Sequence, residues 1–141
     1  MSTVSVEISN ALARIAYAAD FGSMQEYADL LTDDVVWVLP DAPAVSLPAQ
    51  ERKGIEAVLA GARERRESGL QGPGTASMHV VTNISVSPGE NEDEALSTAY
   101  WHFLTGLGKV PKLVQSGTYH DRFVFERGAW LLAHRTIGVV R

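Results

Sequence analysis

Leu113 to Glu126 reads LVQSGTYHDRFVFE, Arg127-Gly128-Ala129 follows, and Trp130 to Val139 reads WLLAHRTIGV. Both arms are rich in β-branched and aromatic residues, the composition of strands. Arg127-Gly128 is a tight turn, so the second arm returns antiparallel to the first. Moving toward the N-terminus, Gly106-Leu107-Gly108 is a break before Lys109 and Pro111, and Ala95 to Leu104 reads as the preceding strand. Pro88-Gly89-Glu90-Asn91-Glu92-Asp93 is an acidic turn. Ser77 to Val86 alternates, with Met78, Val80, Thr82, Ile84 and Val86 on one face and Ser77, His79, Val81, Asn83 and Ser85 on the other.

The first half has helical periodicity. Ile8, Leu12, Ile15 and Ala19 define one apolar face of a helix over about Val4–Ala19. Asp20-Phe21-Gly22 ends it, with Gly22 as a C′ residue. Ser23 and Glu26 form a capping box for a second helix, Met24–Leu31. Thr32-Asp33-Asp34 reads as a turn and Val35–Leu39 as a strand. Three prolines between Pro40 and Pro48 make that segment a loop or a lid. Gly54 to about Ser68 is a third helix, with Ile55, Val58, Leu59 and Ala62 inward and Arg63–Glu67 as a solvated charged face. The order is α-α-β-α-β-β-β-β, an α+β domain over residues 1–141. A curved, mostly antiparallel sheet packed against its helices satisfies that order, and its concave side can hold a pocket.

The bulk properties narrow the function. A chain of 141 residues buries roughly 70% of its unfolded surface, enough for a core. Twelve Lys+Arg against seventeen Asp+Glu give a net charge of −5, which argues against a nucleic-acid partner. With no cysteine, disulfides, thiolate metal sites and Cys nucleophiles are excluded. No apolar run approaches the ~20 residues that span a bilayer, so no membrane partner is expected. The N-terminus lacks a basic segment ahead of its apolar residues, which speaks against a secretory signal, and the absence of cysteine fits a cytoplasmic protein.

The candidate chemistry lies in a few polar residues. Asp20 ends an apolar helix face, and His79 shares a strand face with Val81 and Asn83. Each has a blander reading alone, a solvated turn carboxylate and a satisfied core histidine. Together they make a sharper hypothesis, because a carboxylate on one imidazole nitrogen fixes the tautomer and leaves the other nitrogen as a general base. Such a dyad suits proton abstraction beside a carbonyl or loss of a leaving group, without metal or cofactor. Tyr17, three residues before Asp20, is a candidate hydrogen-bond donor to substrate. Trp37, Trp101, Tyr119 and Phe123 are candidate walls for a hydrophobic ligand, with core packing as the alternative. Arg135 reads as an anion-binding residue or, more blandly, a surface ion pair. His102, His120 and His134 show no metal-ligand spacing, and Gly106-Leu107-Gly108-Lys109 is not a P-loop.

Three local patterns carry a family resemblance across nearly the whole chain. They are Ala19-Asp20-Phe21-Gly22 with Tyr27 to Trp37, Met78-His79-Val80-Val81-Thr82-Asn83, and Gly117 to Phe123 with Gly128-Ala129-Trp130. In this order they resemble SnoaL-like proteins of the nuclear transport factor 2-like superfamily, most closely the branch with scytalone dehydratase, hexachlorocyclohexane dehydrochlorinase and bile-acid 7α-dehydratase. The resemblance implies a cone of curved sheet and three helices around a deep pocket. It also implies a catalytic Asp ending the first helix and a catalytic His on the strand after the third, the positions of Asp20 and His79. Where the dehydrochlorinase carries arginine late in the long strand, this chain has Phe125 and Glu126, which argues against chloride elimination. The expected function is a cofactor-independent lyase or isomerase acting on a small hydrophobic, aromatic or polycyclic molecule, with His79 as base, Asp20 as orienter, and Tyr17 and Asn83 in support. The alternative is a non-catalytic subunit, as in the β subunits of aromatic-ring dioxygenases. The resemblance also implies a homodimer or larger homo-oligomer.

Overall fold

Nine elements make up the computed structural model, which describes residues 2–40 and 49–140. Helices α1 (Ser2–Phe21) and α2 (Met24–Ala28) come first, then strands β1 (Leu31–Leu39) and β2 (Gln50–Lys53). Helix α3 (Ile55–Glu67) precedes β3 (Met78–Pro88), β4 (Glu94–Thr105), β5 (Lys112–Glu126) and β6 (Ala129–Val140). The strands form one sheet in the order β2-β1-β6-β5-β4-β3. All neighbours are antiparallel except β1 and β6, which run parallel.

The predicted β5–β6 hairpin is present with Glu126 opposite Ala129. Arg127 and Gly128 both have positive φ, 54° and 77°, the pattern of a turn whose twist matches that of its strands. The helices pack on one face of the sheet. Ile8, Leu12 and Ile15 of α1 join Leu132 and Phe123 in a core from which water is excluded. Each such side chain contributes about 1.5–3 kcal/mol by leaving water.

Several expectations need correction. The second helix stops at Ala28, and Thr32-Asp33-Asp34 lies within β1 rather than in a turn. The β1–β6 register shifts between Leu31 and Val36, so the exposed carboxylates of Asp33 and Asp34 sit at an irregularity in the ladder. Gly22 does not have positive φ; it is small because a Cβ there would lie 2.9 Å from Ala18 Cα. Ser23 does cap α2, its Oγ accepting from the Glu26 N–H at 3.1 Å. The short β2, Gln50-Glu51-Arg52-Lys53, was not anticipated; its charges suit an edge strand. The proposed lid, Pro40–Pro48, lies outside the described residues beyond Pro40 itself.

One correction bears on the site. Strict alternation separates His79 and Val81 from Ile84 and Val86. Instead Asn83 adopts φ 55°, and the β3–β4 register shifts between Thr82 and Ser85. The bulge switches parity, so Ile84 and Val86 pack on the same core that His79 and Val81 approach from the other end.

Candidate active site

Asp20 occupies the last turn of α1 and is only 2% exposed. A carboxylate there faces the negative end of the helix dipole and has lost its water, so it requires donors. His79 supplies two. Its backbone N–H donates to Asp20 Oδ2 at 2.7 Å, and its Nδ1 lies 2.7 Å from Oδ1. An ionised carboxylate only accepts, so Nδ1 carries the hydrogen, and in the neutral imidazole Nε2 then presents a lone pair. Nε2 has no hydrogen-bond partner among the described residues. Phe103 and Trp101 flank the imidazole, with ring centroids 4.8 and 6.5 Å away.

His79 forms part of the wall of a cavity of about 760 Å³ between the sheet and helices α1 and α3. Trp37, Trp101 and Tyr119 line it. Trp101 and Tyr119 stack with centroids 6.0 Å apart. The Trp101 indole N–H donates to the Gly138 carbonyl at 3.1 Å, which pins this aromatic wall across the sheet.

Three candidate residues fall elsewhere. Tyr17 is 64% exposed and packs on Phe21 outside the cavity. Its offset of three residues from Asp20 puts it on the neighbouring, outward face of α1. Asn83 is exposed because the bulge uses it as a left-handed residue. Phe123 is fully buried in the core, beyond the cavity.

Arg135 is also corrected: it is no surface residue but 3% exposed. Its Nε and Nη2 donate to the two oxygens of Asp121 at 2.9 and 2.8 Å. The guanidinium lies 3.7 Å above the Tyr119 ring and 5.3 Å from that of Trp37. Burial works against its charge, but the Asp121 carboxylate outweighs burial and raises the Arg135 pKa. Burial also raises Tyr119, to about 12, against the opposing pull of Arg135. Tyr119 therefore keeps its proton at neutral pH and is a hydrogen-bond donor on the cavity wall.

The charged end of α3 is a solvated face only in part: Arg63, Glu64 and Glu67 are exposed, whereas Arg65 and Arg66 are half-buried. Arg65 and Arg66 line the cavity. Arg66 Nη2 donates to the Ala18 and Ala19 carbonyls at 3.0 and 3.1 Å, which ties α3 to the end of α1 that carries Asp20. The signal was available: the inward stripe of Val58 and Ala62, continued by one helical turn, arrives at Arg65 and Arg66. His102 bonds Ser116 at 2.8 Å, and no cluster of three metal-ligating side chains occurs among the described residues. No described helix is long and apolar enough to cross a membrane.

Comparison with known proteins agrees with the architecture. A search of curated proteins gives no match. Among solved structures, a Catenulispora acidiphila protein in complex with S-DNPA is 22% identical, with a TM-score of 0.78 over 99% of this chain and 95% of that one. A Novosphingobium aromaticivorans protein designated a dioxygenase β subunit, of the aromatic-ring-hydroxylating type, is 16% identical, with a TM-score of 0.78 over 99% and 91%. A protein from the same organism designated a scytalone dehydratase is 20% identical, with a TM-score of 0.70 over 96% and 83%. These likenesses are to the fold. Residues 2–136 match the SnoaL-like domain, and with that extent of match the chain belongs to the SnoaL-like family of the nuclear transport factor 2-like superfamily.

Proposed function

We propose that this chain is a cofactor-independent lyase or isomerase that removes a proton from a small hydrophobic, ring-containing substrate. The observation that carries this reading is the doubly bonded Asp20–His79 pair at the wall of an apolar cavity. His79 Nε2 takes a proton from a carbon acid beside a carbonyl. Asp20 holds the tautomer and stabilises the imidazolium that forms. The electrons of the broken C–H bond pass to the carbonyl as an enolate, whose oxygen accepts a hydrogen bond from Tyr119. With a β,γ-unsaturated substrate the enolate is conjugated and regains the imidazolium proton at the γ carbon, an isomerisation; with a β-hydroxy substrate it expels the hydroxyl, which leaves as water with the imidazolium proton, a dehydration. Tyr119 thus takes the donor role first expected of Tyr17.

The non-catalytic reading, a subunit of a larger oxygenase, draws support from the dioxygenase β-subunit neighbour. Against it stands the place of His79 on the wall of an open cavity, with no hydrogen bond to its Nε2 among the described residues. Self-association through the outer sheet face, where Leu96 and Tyr100 are exposed, fits either reading. The test is a screen of bicyclic and tricyclic β-hydroxy ketones for loss of water, followed by absorbance. Turnover that His79→Gln and Asp20→Asn both abolish supports the proposal; turnover that survives them overturns it.

A further inference from the structure

The charges around the cavity do not cancel. Four guanidinium groups reach its wall, those of Arg52, Arg65, Arg66 and Arg135. Arg52 is matched by Glu64 at 3.0 Å, and Arg135 by Asp121. Asp20 is committed to His79. Arg66 is engaged with two neutral carbonyls. Arg65 has no ion pair and no side-chain hydrogen bond among the described residues. It follows Ala62 by three positions and Val58 by seven, so it belongs to the inward stripe of α3 rather than to the solvent side.

A guanidinium in this setting is costly to leave unmatched. Burial lowers the Arg65 pKa, with Tyr27 foremost among the groups that offset it. The guanidinium nevertheless stays charged at neutral pH. The one carboxylate on the described wall is that of Glu64, which is largely exposed and pairs with Arg52; the rest is aromatic and aliphatic surface with neutral polar groups, among them Gln71, Gln115 and the phenols of Tyr27 and Tyr119. A protein with net charge −5 has thus placed a surplus of positive charge on the wall of a large, mostly apolar recess.

We infer that the ligand of this cavity carries an acidic oxyanion on its hydrophobic ring system, and that Arg65 receives it. The inference rests on the functional reading only in taking the cavity as the ligand site; it does not use the chemistry of the dyad. A carboxylate fits the planar fork of a guanidinium, and desolvation strengthens the pair. The ring body then packs against Trp37 and Trp101, and the charged end fixes which edge of the ring faces His79.

The experiment compares two fluorescent probes that share a skeleton. 8-Anilinonaphthalene-1-sulfonate carries the anion, and N-phenyl-1-naphthylamine lacks it. Wild-type protein is expected to bind the sulfonate at least about tenfold more tightly, the size of one charge-assisted hydrogen bond in a desolvated site. Each probe is expected to displace the other. Arg65→Met is expected to erase the preference while leaving the neutral probe bound, which also reports an intact cavity. Arg65→Lys is expected to keep most of it. Equal binding of the two probes by wild type, or a preference unchanged in Arg65→Met, overturns the inference and leaves the dyad reading standing. Failure of both probes to bind overturns the inference and removes the cavity as a ligand site as well.

Discussion

Asp20 and His79 meet through two contacts of 2.7 Å, one carboxylate oxygen on the imidazole Nδ1 and the other on the backbone N–H of the same residue. The second contact makes the first rigid, because the carboxylate cannot rotate without stranding a buried N–H. Asp20→Asn therefore disturbs the tautomer as well as the charge. Activity is expected to fall by about 10²–10⁴ in His79→Gln and by a similar factor in Asp20→Asn. Asp20→Ala is expected to lose a further ~1–3 kcal/mol of stability through the unmatched N–H, read from urea unfolding.

Arg135 and Asp121 are paired across the β5–β6 ladder with both side chains withdrawn from water. Removing one partner strands a buried charge. Asp121→Leu is expected to cost about 3–5 kcal/mol, whereas Asp121→Leu combined with Arg135→Leu costs less than the two single changes together. Chemical denaturation of the four proteins checks the cycle.

Tyr119 holds its proton to about pH 12, against 10.0 for the free side chain. The folded state therefore binds the proton more tightly than the unfolded state. Its contribution to stability is complete below pH 10 and is lost as pH rises toward 12. Unfolding free energies measured between pH 9 and 12 are expected to fall less steeply in Tyr119→Phe than in wild type.

Gly117 faces Trp101 across the β4–β5 ladder, where a Cβ would run into the Gly138 carbonyl and lie 2.7 Å from Trp101 Nε1. Gly117→Ala is expected to cost about 1–3 kcal/mol by overpacking and to displace the indole from the cavity wall. Tryptophan fluorescence together with urea unfolding reads both effects.

The fold was legible in the sequence wherever local signals agreed. Strand alternation, the Arg127-Gly128 turn and the Ser23 cap each came from residues that answer to a local rule. The errors arose where a tertiary contact overrode the local pattern. Asn83 breaks alternation without any strong breaker nearby, because asparagine tolerates the left-handed conformation better than most side chains and so can make a bulge. Arg65 and Arg66 read as a charge run by composition, although the apolar stripe of α3 leads to them. Arg135 had no sequence sign of its buried partner, since only the β5–β6 register brings Asp121 opposite. Of the site, Asp20 and His79 were legible through their resemblance to a family pattern, whereas spacing alone says nothing about two residues so far apart in the chain.

The central claim, that His79 is a base acting on a carbon acid in the cavity, is tested most directly by proton exchange. Bicyclic aromatic ketones shown by probe displacement to occupy the cavity are incubated with the protein in D₂O, and mass spectrometry follows deuterium at the carbon beside the carbonyl. The account predicts incorporation well above the buffer rate with wild-type protein and none above it with His79→Gln. Ketones that bind yet exchange no faster than in buffer, or exchange equally with His79→Gln, would contradict it.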